Sequence, residues 1–403
     1  MKKIIALVLV LVMALSLFAG CGKKAEKMTL KVWGPNEDQA SAESFLPVAC
    51  AKFNEAHPEW DIEFVFEVCA EGDAGSMVTK DPSAAGDVYM FANDQLGTLL
   101  QANAIARLGG AALEQVKADN SETMVASVTS GDGVYGVPFT GNTWFMYYDS
   151  SVYTAEDIKS LDAMMAKKPV AFEVTNAWYL PAFYFAAGGT MFGENGTDGA
   201  AGVTFGGEVG TAATTYIANA LAAGTMIEAG GGAGMDALRN GTVGAVFSGT
   251  WDAKNLSDIL GENYGAAQLP CITVDGKECQ LKAFNGTKAY AANPNSANLQ
   301  AATALAAWLG SAEMQKLHYE IRNGEVIPVD VSLADLYASN PAAIAQENTM
   351  AYTSTLQPNI TEMGNYWANA GAMGTALANG EINEGNALDK TNEWNDGLNN
   401  SGL

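Results

Sequence analysis

Apolar and polar positions along this chain follow two periods, one of two residues and one near 3.6. Leu30–Trp33 reads as a strand, and Asp61–Val68 alternates Ile62, Phe64 and Phe66 before Glu71-Gly72-Asp73 stops it. Asp87–Phe91 is a further short apolar strand. Between them Ser41–Ala56 places Phe45, Leu46, Ala49 and Phe53 on one helical face, and Asp94–Asn103 returns to helix. This strand–helix rhythm predicts a parallel sheet covered by helices on both faces. A second run follows Val134–Pro138. Its predicted strands are Phe145–Tyr148, Val170–Phe172, Gly244–Ser248 and Tyr264–Gln268. Its predicted helices are Asp157–Ala166, Trp178–Ala187 and an alanine-rich Thr211–Ala223 closed by Gly224. Leu299–Leu309, Ala312–Tyr319, Pro341–Met350, Asn365–Ala378 and Glu384–Leu398 complete the helical segments, with Pro341 suited to a first turn and Asn383 to an N-cap.

The first residues stand apart from this alternation. Lys2 and Lys3 precede an apolar run from Ile4 to Leu17, and Phe18-Ala19-Gly20 leads into Cys21. The run is shorter than the ~20 residues that span a bilayer and suits a signal h-region. Its ending resembles a bacterial lipobox with phenylalanine in place of the usual leucine. Residues 1–20 are therefore read as a lipoprotein signal peptide, Cys21 as the lipidation site and residues 21–28 as a tether. An ordinary cleaved signal with an unmodified Cys21 is the alternative. The remaining ~380 residues exceed one ordinary core and predict two or three domains.

Charge narrows the chemistry. The net charge is −24, with only 21 Lys and Arg, a balance that repels phosphate backbones and argues against nucleic-acid binding. Two histidines, His57 and His318, lack metal-ligand partners at helical spacing, and no Cys-x-x-Cys, His-Glu-x-x-His or Gly-x-Ser-x-Gly occurs. No cofactor or metal is expected. Composition leaves a two-carboxylate glycosidase open, although 45 acids supply pairs by chance. The patch Ala229–Gly234 lacks the final glycine of a dinucleotide fingerprint and reads as a surface loop. Asp275-Gly276 predicts a hairpin that brings Cys271 near Cys279, so an exported protein could bond them; the state of Cys50 and Cys69 is left open.

What remains is a pattern of place. Aromatic residues recur beside hydrogen-bonding side chains at the ends of predicted strands or the starts of helices. Trp33 precedes Asn36-Glu37-Asp38, Phe91 precedes Asn93-Asp94-Gln95, and Asn142 precedes Trp144. Asn176 leads to Trp178-Tyr179, Thr250-Trp251-Asp252 follows a strand, and Asn365 leads to Tyr366-Trp367. In open α/β sheets such loops gather beyond the carboxyl ends of strands, where ligands bind. Rings beside polar groups suit a neutral sugar, whose C–H faces stack and whose hydroxyls each cost roughly 1–3 kcal/mol if buried unpaired.

In order along the mature chain, Leu30-Lys31-Val32-Trp33, Gly86–Asp94, Val134–Pro138, Ala187-Gly188-Gly189, Asn240–Val246, Ser248–Trp251 and Pro358–Met363 resemble the extracellular solute-binding proteins of sugar ABC transporters, closest to the maltose/maltodextrin-binding branch. The resemblance implies a type II two-lobed periplasmic-binding-protein fold, each lobe an α/β sheet flanked by helices and hinged by chain crossings. It places residues 29–140 with 288–336 in the N-terminal lobe and 141–287 with 337–403 in the C-terminal lobe. It implies no enzyme but a monomeric, lipid-anchored receptor on the outer face of the bacterial cell membrane. That receptor would pass an oligosaccharide, maltooligosaccharide first, to ABC permease subunits. By resemblance Glu37, Asp38, Phe91, Asp94, Gln95 and Asn142 line one side of the cleft and Asn176, Trp178, Trp251 and Trp367 the other, with Trp144, Tyr179 and Tyr366 as neighbours. The branch has lysine at Asp38, arginine at Gln95, glutamate at Asn142 and Asn176, tyrosine at Trp178 and arginine at Gly371. The stacking positions therefore stay aromatic while most charged ones change. A carbohydrate-active enzyme, or a surface sugar sensor or capture protein of the same fold, are the competing readings.

Overall fold

The computed structural model describes residues 25–400; the signal segment and Cys21 lie outside the described residues. Two five-membered strand paths organise the chain. The first runs Ser354–Leu356, Ala283–Ala292, Val88–Ala92, Glu26–Gly34, Trp60–Val68, with Val137–Asn142 also paired to Ala283–Ala292. Glu26–Gly34 and Trp60–Val68 lie parallel in a register that sets Leu30 opposite Phe64 and Val32 opposite Phe66. The second runs Tyr264–Ala267, Phe145–Asp149, Ala245–Ser248, Val170–Phe172, Met226–Glu228.

Neither sheet is purely parallel, which corrects the expectation from the strand–helix rhythm. Ala283–Ala292 runs antiparallel to Val88–Ala92 and to Val137–Asn142, and Phe145–Asp149 runs antiparallel to both its neighbours. The ten-residue strand Ala283–Ala292 escaped prediction because its burial pattern does not alternate. Its sequence, AFNGTKAYAA, is mostly small and is covered on both faces rather than half-exposed, so no period-two signal exists.

Each sheet has its own core. Leu30, Val32, Phe45, Phe53, Val88, Phe91 and Leu305 belong to the first; Trp144, Phe172, Phe183, Tyr184, Phe284 and Trp394 belong to the second. The strand Ala283–Ala292 takes part in both, with Ala283 and Phe284 in the second core and Ala289–Ala292 in the first.

Several helices start later than periodicity suggests, for reasons visible in their first residues. The helix Phe45–Ala56 buries Phe45, Leu46, Ala49 and Phe53. The Ser44 hydroxyl accepts from the Ser41 amide at 3.1 Å, closing a local turn that competes with helix before it. The helix Pro181–Ala186 begins at a proline, whose ring fits only the first turn. Asn340 caps Pro341–Tyr352 through bonds from Ala342 and Ala343 at 3.1 and 3.4 Å. Asn383 is not a cap: the last helix starts at Ala387, and the Asn383 side chain accepts from Gly385. The glycine patch is no plain loop either. Gly231 and Gly232 take φ of 63° and 87°, which a side chain resists, and open the helix Ala233–Arg239.

The hairpin Cys271–Val274/Lys277–Gln280 forms as predicted, but no disulfide closes it. Its register pairs Cys271 with Gln280 and Cys279 with Ile272. A one-residue offset turns the two sulfurs to opposite faces of the ribbon. Among the described residues no helix is long and apolar enough to cross a membrane.

Candidate functional site

A cleft of about 500 Å³ is lined by Asp94, Gln95, Asn142, Trp178, Trp251 and Trp367, with Glu71, Lys288 and Gln357 among the remaining walls. Apart from Lys288, these side chains stand where an element ends or begins. Asp94 and Gln95 form the turn Asn93–Gln95 at the carboxyl end of Val88–Ala92. Trp251 sits on the turn Thr250–Asp252 after Ala245–Ser248. Trp367 opens the helix Tyr366–Ala378. Trp178 lies in the turn ahead of Pro181, where the Asn176 side chain accepts its backbone N–H at 2.9 Å. Asn176 thus shapes the turn that presents Trp178 rather than lining the cleft.

The three tryptophans form a partly open aromatic wall. Trp178 and Trp251 have ring centroids 5.9 Å apart at 36°. Trp251 is 43% exposed, an unusual cost for so large an apolar ring unless something covers it. Gly249 lies beneath it: a Cβ there would come within 2.0 Å of the Trp251 ring. Trp367 leans edge-on against Tyr366 and Phe284 at 5.3 and 6.2 Å.

Polar groups face this wall. The Gln95 amide donates to Asp94 at 2.7 Å, and the Trp178 indole N–H donates to the Gln357 side-chain oxygen at 2.7 Å. Burial pushes the Asp94 carboxyl up to about 6, against the lowering effect of hydrogen bonds from Gln95 and Gln357. Glu71 forms an ion pair with Lys288. Burial raises the Glu71 carboxyl, but the Lys288 charge outweighs it and holds Glu71 below its ordinary value.

A narrow chamber adjoins the cleft and shares Glu71, Asn142, Trp251 and Lys288 with it. Glu37 and Asp38 are in this chamber. Asp38 is only 1% exposed and is already taken: it accepts from His318 at 2.9 Å and Arg322 at 3.2 Å. Burial raises its carboxyl, and His318 with Arg322 overcome this to leave it lowered. Its role is to anchor the helix Ala312–Ile321, whose His318 packs on Phe45 and Phe139.

Four aromatic expectations are corrected. Phe91, Trp144, Tyr179 and Tyr366 are buried in the cores, at 0%, 0%, 4% and 1% exposure. Phe91 lies on a strand buried along its whole length. Trp144 packs on Phe172, Tyr179 and Phe247, and the Tyr366 hydroxyl donates to the Ala177 carbonyl at 2.9 Å. Neighbouring residues point different ways, to opposite faces in a strand and about 100° apart around a helix, so of an adjacent aromatic pair one ring can face the core while the other does not. Tyr366 and Tyr179 go inward while Trp367 and Trp178 reach the cleft.

Glu71, Lys288 and Gln357 were not foreseen. Lys288 sits mid-strand in the unrecognised Ala283–Ala292, and Gln357 follows a three-residue strand without an aromatic beside it. The acid-rich turn Glu71–Asp73 was the one legible signal, and it read only as a strand stop. A larger hollow of about 870 Å³ lies along Glu122, Ser130, Glu194, Asn195, Ser354 and Asn359. It carries no aromatic ring and so offers no face for stacking.

Two α/β sheets with separate cores, linked by a strand of the first sheet that contributes to both cores, and flanking an aromatic cleft, define a solute-binding architecture. The chain belongs to the bacterial extracellular solute-binding protein family, whose model matches residues 49–346. It is thus a binding protein rather than an enzyme, of a family that works outside the cytoplasm. Among solved structures it is similar to one determined with acarbose, at 46% identity and a TM-score of 0.87, covering 93% of this chain and 99% of that one. It is also similar to the maltodextrin-binding protein MalE1 from L. casei BL23 solved without ligand, at 27% identity and a TM-score of 0.83, covering 93% and 100%. A cyclo/maltodextrin-binding protein complexed with maltotetraose shares the fold at 20% identity and a TM-score of 0.76, covering 93% and 98%. No curated protein sequence matches the chain.

Proposed function

We propose that this protein is a lipid-anchored extracellular receptor that takes an oligosaccharide, maltooligosaccharide first, into the cleft and delivers it to an ABC importer. The observation that carries the reading is the meeting of Trp178, Trp251 and Trp367 with Asp94, Gln95, Asn142 and Gln357 in one open cavity. The rings supply surfaces for pyranose C–H faces, and the amides and carboxylates supply paired donors and acceptors for hydroxyls. The neighbour holding acarbose, an α-linked pseudo-oligosaccharide, supports the α-glucan class. The lobes, 29–140 with 288–336 and 141–287 with 337–403, close over the sugar by bending about the chain crossings at those bounds. Closure is favoured because ligand contacts on both walls exist only in that state. Cys21, in its lipobox setting, tethers the chain to the membrane surface, and the protein acts as a monomer.

Calorimetric titration with maltotriose, longer maltooligosaccharides, xylo-oligosaccharides and galacto-oligosaccharides tests this. The expected result is saturable binding with a Kd near the micromolar range, about −8 kcal/mol, for maltooligosaccharides. Chromatography of the sugar after overnight contact should return it unshortened. Cleaved products would favour the enzyme reading, and no binding of any sugar would overturn the receptor reading.

A further inference from the structure

Gln357 stands at the junction of the two sheets with a side chain that serves neither core. It is 4% exposed and directly follows the strand Ser354–Leu356. Its backbone is fixed on both sides. Its N–H donates to the Asn285 carbonyl at 2.8 Å, and its carbonyl accepts from the Asn93 side chain at 3.1 Å. Asn93 in turn accepts the Thr287 N–H at 3.2 Å, so one amide side chain pins two crossing segments. The Gln357 side chain then reaches into the cleft. Its oxygen receives the Trp178 indole N–H, and Asp94 lines the same cleft, where the Gln357 amide favours its charged carboxylate.

A primary amide joins an acceptor to a donor in one neutral group. It can therefore hold an indole N–H and a carboxylate at once without adding charge. Trp178 and Asp94 come from opposite walls, and both line the cleft into which the Gln357 amide reaches. Resting on the receptor reading above, we infer that Gln357 is a positioning residue for the sugar site. It locks the Trp178 ring in its stacking orientation and turns the Asp94 carboxyl toward the same ligand space. A ring held in advance loses less freedom when sugar arrives, and this raises affinity. The charged groups that line the same cleft as Asp94 are Glu71 and Lys288, which are paired with each other and of which Lys288 is the strand partner of Ala92, and Gln95 lies beside Asp94 on its own turn.

The test is calorimetry with maltotriose on the wild-type protein, Gln357→Met and Gln357→Glu, at pH 5 and pH 8, beside melting curves of the sugar-free proteins. Methionine keeps the volume and removes the acceptor that holds Trp178 together with the amide donor beside Asp94, so binding should weaken about tenfold at both pH values with little change in melting temperature. Glutamate at this position shares a proton with Asp94 in acid and then reproduces the amide's donor and acceptor. Gln357→Glu should therefore bind within about twofold of wild type at pH 5 and fall about tenfold or more at pH 8, where two carboxylates meet. A merely structural role would not give this pH-dependent rescue. Methionine binding within about twofold of wild type, or a glutamate-to-wild-type ratio equal at both pH values, would overturn the inference. If Gln357→Met does not fold, the glutamate comparison decides alone. A wild-type protein that binds no sugar overturns the receptor reading and this inference together.

Discussion

Replacing Trp251 with alanine separates a binding ring from a structural one. Trp251 is 43% exposed. A tryptophan side chain presents at most about 250 Å², so about 100 Å² of indole is open to the cleft. A sugar face that covers it removes that area from water, worth about 2.5 kcal/mol at ~25 cal/mol/Å². The Trp251→Ala protein should therefore bind maltotriose about seventyfold more weakly. Folding should suffer much less, because the ring makes few core contacts and its neighbour Trp178 is held independently by Gln357. Calorimetry of both proteins, beside their melting curves, reads the two effects apart. A loss of affinity under about threefold with an intact fold would refute the stacking argument.

Gly249→Ala tests the same ring from below. Its φ of −103° suits any residue, yet the new Cβ must displace the Trp251 ring, so affinity should drop while thermal stability holds; unchanged affinity would show that the ring's placement is immaterial. Trp144→Ala should do the reverse, costing about 3–5 kcal/mol of stability in denaturant unfolding because a fully buried ring leaves a cavity in the second core; a loss under about 1 kcal/mol would contradict its core assignment. Asp94→Asn should stabilise the sugar-free protein at pH 7.5. With the native carboxyl raised to about 6, the folded state holds a proton that the unfolded chain has lost between about pH 4 and 6. Stability falls as pH rises through that window, by roughly 2–3 kcal/mol, and the asparagine gain should vanish near pH 4; a gain independent of pH would show that ionisation is not its source. Cys271 and Cys279 should alkylate without reductant in the folded protein, read by mass spectrometry, since the hairpin register faces them apart; a recovered bridge between them would contradict that register.

Much of the architecture was legible because its strongest signals are local. Ile62, Phe64 and Phe66 alternate, Phe45 to Phe53 keep helical spacing, and Pro341 marks a first turn. The mixed strand directions were not legible, because direction is decided by which segments meet, not by period. The long strand Ala283–Ala292 shows this most plainly: it is buried throughout, serves two cores and carries no alternation. In the candidate site, the rule of aromatics beside polar loop residues pointed to loops that the structure brings to one cleft, without saying which ring of each turns outward. Trp178 and Trp367 reach the cleft while their neighbours Tyr179 and Tyr366 fill cores. Lys288 and Gln357 were invisible because their roles come from tertiary placement, an ion pair with Glu71 and a hydrogen bond from Trp178 in the cleft that Asp94 also lines, and neither carries a local motif.

The most direct measurement is a crystal structure of the protein grown with maltotriose. Glucose rings resting on Trp178, Trp251 and Trp367, with hydroxyls paired to Asp94 and its neighbours and every glycosidic bond intact, is the predicted result. Sugar seated in the ring-free hollow along Glu122 and Asn359, or a cleft left empty at saturating sugar, would contradict the account.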